Sequence, residues 1–164
     1  MNRRRITIAF ISLLFASIGL SSCDKAKILD ENKDLVGQAW FYKNKLAFDV
    51  NIDDTNKTYN VFVNLRVSND YKYSNFFVMV HQTSPSQVIS KERKEITLLD
   101  DHGNWLGKGL GDMYDFQVPI YPQKRFKEKG IYHFELEQNM REDTLQNVYS
   151  AGMRFEDFLL ARGE

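Results

Sequence analysis

The sequence predicts an all-β fold, an antiparallel β-sandwich preceded by a signal-peptide helix and a tether. Three observations predict it. Apolar residues recur at period two through most of the chain after Val36. Clusters of Asp, Asn, Gly and Ser interrupt these runs every 8 to 15 residues, and helical periodicity is nearly absent. The core is aromatic, with 12 Phe, 8 Tyr and 2 Trp in the whole chain. About eight short strands on this pattern make a sandwich. They leave a jelly-roll-like and an Ig-like strand order both open.

Taken in order, residues 1–22 read as a signal segment. Arg3, Arg4 and Arg5 precede an apolar run from Ile6 to Leu20, which ends in Leu20-Ser21-Ser22-Cys23. That run is short of the roughly 20 apolar residues a membrane-crossing helix needs, and a basic head with a small-residue exit is how a secretory signal is built. Leu-Ser-Ser-Cys resembles the bacterial lipobox, which implies acylation of the Cys23 thiol and cleavage just before it. Cys23 is the chain's only cysteine, and lipid attachment accounts for it without disulfide or catalytic chemistry. A single acyl chain holds a protein on a membrane only marginally, whereas two or more anchor it stably.

Residues 23–35 are charged and mixed in sign, and read as a lipidated tether with a maximum reach of roughly 40 Å. Residues 36–164 form one domain, long enough to bury about 68% of its unfolded surface without metal or disulfide. Leu46, Phe48, Val50 and Ile52 alternate with polar neighbours. Asp53 to Lys57 supplies a turn, and Tyr59, Val61, Val63, Leu65 and Val67 resume the alternation, so a hairpin is expected here. Phe76 to Val80 is continuously apolar and reads as a strand covered on both faces. Glu92–Leu99, Phe116–Tyr121, Tyr132–Gln138 and Val148–Phe158 follow, with Pro119 marking an edge strand.

Loss of the three N-terminal arginines leaves the 22 acids outnumbering the bases by three. No basic stripe remains, which argues against nucleic acid as a partner, and no polybasic patch is expected that would hold the protein on anionic lipid.

Each motif with possible chemistry has a structural reading that fits better. Gly103 to Asp112 is rich in glycine, yet three residues rather than four separate Gly103 from Gly107-Lys108, and no Ser or Thr follows the lysine. The stretch is a loop and not a phosphate cradle. His133, Glu135 and Glu137 share one strand face, as metal ligands can, but Tyr132, Phe134 and Leu136 make that face the solvated one. No metal, cofactor or catalytic residue is expected. Arg66 in an otherwise apolar strand is expected to pair with a carboxylate or to cap carbonyls. Tyr71, Tyr73, Trp105 and Tyr114 fall in loops, where they cap the core, anchor a protein interface or stack on sugars.

Three further stretches carry a family resemblance. Asn64-Leu65-Arg66 leads into Asn69-Asp70-Tyr71-Lys72-Tyr73-Ser74-Asn75. Asp101-His102-Gly103-Asn104-Trp105-Leu106-Gly107-Lys108-Gly109 follows, then Gln138-Asn139-Met140-Arg141. With the lipobox in front, this resembles the gliding-motility lipoprotein family GldH of Bacteroidetes over about residues 36–157. The resemblance implies a non-enzymatic lipoprotein of the outer membrane, facing the periplasm, that serves the gliding machinery and its type IX secretion system alongside other envelope proteins. A glycan-binding lipoprotein of a polysaccharide-uptake system is the alternative. It requires the four loop aromatics to form one exposed array.

Overall fold

The computed structural model describes residues 25–163. The signal segment and Cys23 lie outside these residues. Eleven strands are described: β1 (Lys27–Asp34), β2 (Ala39–Phe41), β3 (Leu46–Ile52), β4 (Tyr59–Ser68), β5 (Asn75–Thr83), β6 (Ile89–Thr97), β7 (Lys108–Leu110), β8 (Met113–Lys124), β9 (Gly130–Gln138), β10 (Thr144–Gln146) and β11 (Val148–Asp157). A short 3-10 turn, Val36–Gln38, separates β1 from β2, and a single helical turn, α1 (Phe158–Ala161), ends the chain.

Two antiparallel sheets face each other. One has the order β1-β11-β4-β8-β7 and the other β3-β9-β5-β6, while β10 and β2 form a small separate ribbon. The alternation read from the sequence sets the inner faces. Val61, Val63, Leu65 and Val67 of β4 are no more than 2% exposed, and so are Phe48, Val50 and Ile52 of β3 and Tyr132, Phe134 and Leu136 of β9. Aromatic pairs knit the layers together, with Phe134 against Phe155 at 5.0 Å between centroids and Trp40 against Phe76 at 5.7 Å.

Amphipathic lysines close the two open sides. The ammonium of Lys33 on β1 lies 5.2 Å from the centre of Phe48 on β3, and that of Lys94 on β6 lies 4.2 Å from Tyr121 on β8. Each stem covers apolar surface while its charge stays near water.

Three expectations are corrected. β3 and β4 are not a hairpin: β3 pairs with β9, β4 pairs with β11 and β8, and residues 53–58 cross between the sheets. Period-two alternation identifies the buried face of a strand but not its neighbour, and two such faces pack across a sandwich as readily as they align in one sheet. Most of the expected tether is strand. β1 pairs with β11 from Lys27↔Glu156 to Asp34↔Ser150, so the domain begins at Lys27 and not at residue 36. β5 is fully covered on its inner face only. Its outer residues Phe77 and Met79 are half-buried, and the Arg93 guanidinium stacks 3.7 Å from the Phe77 ring centre. The expected edge at Phe116–Tyr121 is present: β7 pairs only with residues 113–115 of β8, so the stretch with Pro119 is paired on one side, to β4, alone.

The strand directions give the sandwich two distinct ends. The proximal end holds the described N-terminus, the 53–58 and 84–88 loops, the 124–130 connection and α1. There Ala26 O accepts from Asp157 N and Thr58 O from Phe158 N, while Gly130 packs on Pro85. The distal end holds residues 69–75, the glycine-rich loop and residues 139–147.

Candidate functional site

The loop aromatics come first, because the sugar-binding alternative depends on them. They form two self-stacked pairs and no open array. Trp105 lies on Tyr114 with centroids 4.6 Å apart. Tyr71 is 4% exposed, meets Tyr73 edge-on at 5.8 Å and leans on Phe76. Burial drives the Tyr71 phenol well above its ordinary pKa, so it is a neutral core residue whose hydroxyl donates to Asn75 O. The glycan alternative therefore loses the feature that motivated it.

The glycine-rich stretch is a packed loop. Asp100 accepts from His102 N and Asn104 N and from the Asn104 side chain, which closes a tight turn at Gly103. A side chain at Gly107 would meet Phe116 at 2.8 Å, and one at Gly109 would meet Tyr114 at 3.0 Å. These glycines let the loop lie on the β8 aromatics, a steric demand that has nothing to do with phosphate.

On β9 each polar side chain has its own neighbour. His133 bonds Asp49 at 2.7 Å, Glu135 bonds Lys45 at 3.3 Å, and Glu137 bonds His81 at 2.8 Å. Neither histidine pair includes a hydroxyl or a thiol. Among the described residues no group of His, Cys, Asp and Glu is placed to hold a metal.

Among the described residues two concave surfaces stand out. The larger, about 840 Å³, runs over the outer face of the five-stranded sheet. Some of its polar side chains are tied together: Asn64 donates to Asp30, Gln117 donates to Asn64, and Asp30 also pairs with the neighbouring Arg154 at 3.0 Å. Arg66 finds its expected carboxylate, donating to Asp115 through Nε at 2.6 Å and Nη2 at 2.9 Å. Groups tied to each other in this way hold the sheet together.

The smaller surface, about 390 Å³, lies on the outer face of the second sheet at the distal end. Tyr73, Asn75, Phe77, Arg93, Met140 and Arg141 line it. β5 supplies its floor, since Phe77 N donates to Met140 Sδ at 3.2 Å and Arg93 from β6 stacks over the Phe77 ring. The Gln138 side chain fixes the following turn, accepting from Met140 N and donating to Glu142 O. Lys72 pairs with Glu142 across that turn. Aromatic, methionine and arginine side chains on a small concavity are the composition of a protein-interface core. Of these six residues, sequence reasoning singled out only Tyr73 as a possible contact. Met140, Arg141 and Asn75 appeared there only within the family-like stretches, and nothing local joins them to Phe77 and Arg93.

Comparison with known proteins follows from this geometry. The family model described as GldH lipoprotein matches residues 27–155, which takes in β1 and nearly all of the sandwich. The gliding motility lipoprotein GldH of Flavobacterium johnsoniae is 34% identical, covering 88% of this chain and 93% of the relative. A GldH homolog of Christiangramia forsetii is 28% identical, covering 93% of this chain and 97% of that one. Among solved structures, a chain of infectious bursal disease virus Gt strain aligns with 80% of this chain and 40% of its own, at 11% identity and a TM-score of 0.19, too low to relate the two folds.

Proposed function

The chain belongs to the GldH lipoprotein family, and from that premise we propose that it is a non-enzymatic component of the gliding and type IX secretion machinery, held at the outer membrane by lipid on Cys23 and facing the periplasm. The family is one of motility lipoproteins and is not named for a catalytic activity. The observation that supports the reading most is the coincidence of the Leu-Ser-Ser-Cys exit with a family match that begins four residues later, at residue 27. An acylated cysteine so close to the domain would keep the folded part at the membrane, within reach of other envelope proteins.

The distal concavity is the surface on which this binding is proposed. Arg93 and Arg141 stand beside an apolar floor of Phe77 and Met140. The complementary partner segment carries a carboxylate next to an apolar side chain, so that the charge meets the guanidinium groups and the apolar group covers the floor. Crosslinking of the lipidated protein in intact envelopes, followed by pull-down, tests the reading. Recovery of gliding or secretion components, lost on Arg93→Glu, is the expected result. Recovery that is unchanged in that variant would reject the surface, and recovery of none of these components would reject the machinery.

A further inference from the structure

We infer that the proximal end of the sandwich is a membrane-contacting face, seated on the headgroup layer that carries the lipid anchor. The inference rests on the lipidation of Cys23 and adds an orientation that an anchor alone does not give. Only Asp24, Lys25 and Ala26 separate Cys23 from β1. Four Cα-to-Cα steps span at most about 14 Å, in place of the roughly 40 Å of a 12-residue tether. Ala26 is itself fixed, 5% exposed and bonded through its carbonyl to Asp157 N at 2.8 Å. An acyl group on Cys23 therefore enters the bilayer beside the proximal end, and the domain cannot swing far from it.

The surface there suits that position. Of the exposed large apolar residues, Ile28, Val88, Ile89, Ile131, Leu159 and Leu160 belong to this end or its rim, whereas Val36, Phe41, Leu106 and Leu110 belong to the distal end, so apolar exposure permits the contact and the anchor's reach and the charge select this end. Val88 and Ile89 are each 64% exposed, at the tip of the β5–β6 hairpin, and Leu159 and Leu160 present α1 outward. Charge divides the two ends in the same sense. The proximal segments 25–27, 53–58, 84–88, 124–130 and 158–163 carry eight Lys and Arg against three acids. The distal segments 35–45, 69–75, 98–112 and 139–147 carry five against six. The acidic balance of the chain as a whole conceals this asymmetry and misled the expectation that no polybasic patch is left: Lys124, Arg125, Lys127 and Lys129 are close in sequence, and folding brings Lys25, Lys27, Lys57 and Arg162 to the same end. Apolar tips flanked by lysines and arginines match a layer of acyl boundary below anionic headgroups. The distal concavity is then held away from the bilayer, where a periplasmic partner reaches it.

The test uses the full-length lipidated protein, carrying one environment-sensitive thiol probe at a time on Val88→Cys, Ile131→Cys or Leu159→Cys, with Lys72→Cys and Leu110→Cys as distal controls. Each is reconstituted in phosphatidylethanolamine–phosphatidylglycerol vesicles with spin-labelled lipid. Flotation with the vesicles reports the anchor, and quenching by the lipid reports the orientation. The expected result is flotation of every variant, with strong quenching at 88, 131 and 159 and little at 72 and 110. Flotation with equal quenching at all five positions would overturn the orientation and leave the anchor standing, whereas failure to float would overturn both. Probes at 88, 131 and 159 shielded in a concentration-dependent way before any vesicle is added would assign this face to a second copy of the chain, which also overturns the inference.

Discussion

Trp105 lies nearly parallel to Tyr114, the two rings 17° apart in plane and 4.6 Å apart in centre. The contact fixes the glycine-rich loop to β8 and occupies the aromatic faces that a sugar would need. It is possible because the two positions that lie on the β8 rings carry no side chain: Gly107 sits against Phe116 and Gly109 against Tyr114.

Gly107→Ala is therefore expected to destabilise the fold. Its new methyl would lie 2.8 Å from Phe116 and 2.9 Å from the Asp115 carbonyl, and backbone cannot yield as a flexible side chain does. Overpacking of this kind costs about 1–3 kcal/mol. Gly111→Ala is the comparison, since it meets nothing within 4 Å and suffers only from its φ of +62°, a cost of about 1–2 kcal/mol. Urea unfolding midpoints should place Gly107→Ala below Gly111→Ala, and the reverse order would refute the packing account.

Gly152→Ala addresses the strand that replaced the tether. Gly152 on β11 faces Asn32 of β1, and a methyl there would collide with the Asn32 side chain and the Glu31 carbonyl. β1 is an edge strand with mostly exposed side chains, so pairing more than burial holds it. The expected outcome is loss of amide hydrogen-exchange protection across 27–34, with protection of β4 and β9 retained. Protection unchanged in β1 would show that the strand is held by something else.

How much of this was legible beforehand follows from what each signal encodes. The alternation from Leu46 to Ile52 matches β3 residue for residue, and that from Tyr59 to Val67 misses the end of β4 by one, because a half-buried strand writes its inner face into the sequence. β1 left no such trace. Its sequence, KILDENKD, has only Leu29 and the Lys33 stem turned toward the core, so it reads as solvated chain. The short β2, β7 and β10 are likewise set by tertiary pairing. The distal concavity was hidden for a related reason: residues 73–77, 93 and 140–141 meet through the β9-β5-β6 order, which local pattern does not record. Arg66 was legible in part: a carboxylate or carbonyls were expected as its partner, and only the fold identifies Asp115, beside it on the exposed outer face.

Asp157 gives a pH dependence. Its carboxylate caps α1, accepting from Leu159 N at 3.0 Å and Leu160 N at 3.2 Å, and pairs with Lys57 at 3.0 Å. Burial pushes its pKa up, but the Lys57 bond and the two amides outweigh this and leave it below the ordinary value. A depressed carboxyl stabilises the fold above its unfolded pKa of about 3.9, and the contribution is lost as pH falls through the folded value. Asp157→Asn keeps the cap and loses the charge, so its stability should fall less steeply than wild type below about pH 5. Parallel acid limbs in denaturation series at several pH values would contradict the assignment.

The proposal as a whole depends on the Cys23 thiol. Intact mass spectrometry of the protein extracted from its native membranes tests it most directly. The expected spectrum shows a chain beginning at Cys23 with the added mass of a diacylglyceryl group. A chain that begins elsewhere, or carries a bare sulfhydryl at this position, would contradict it.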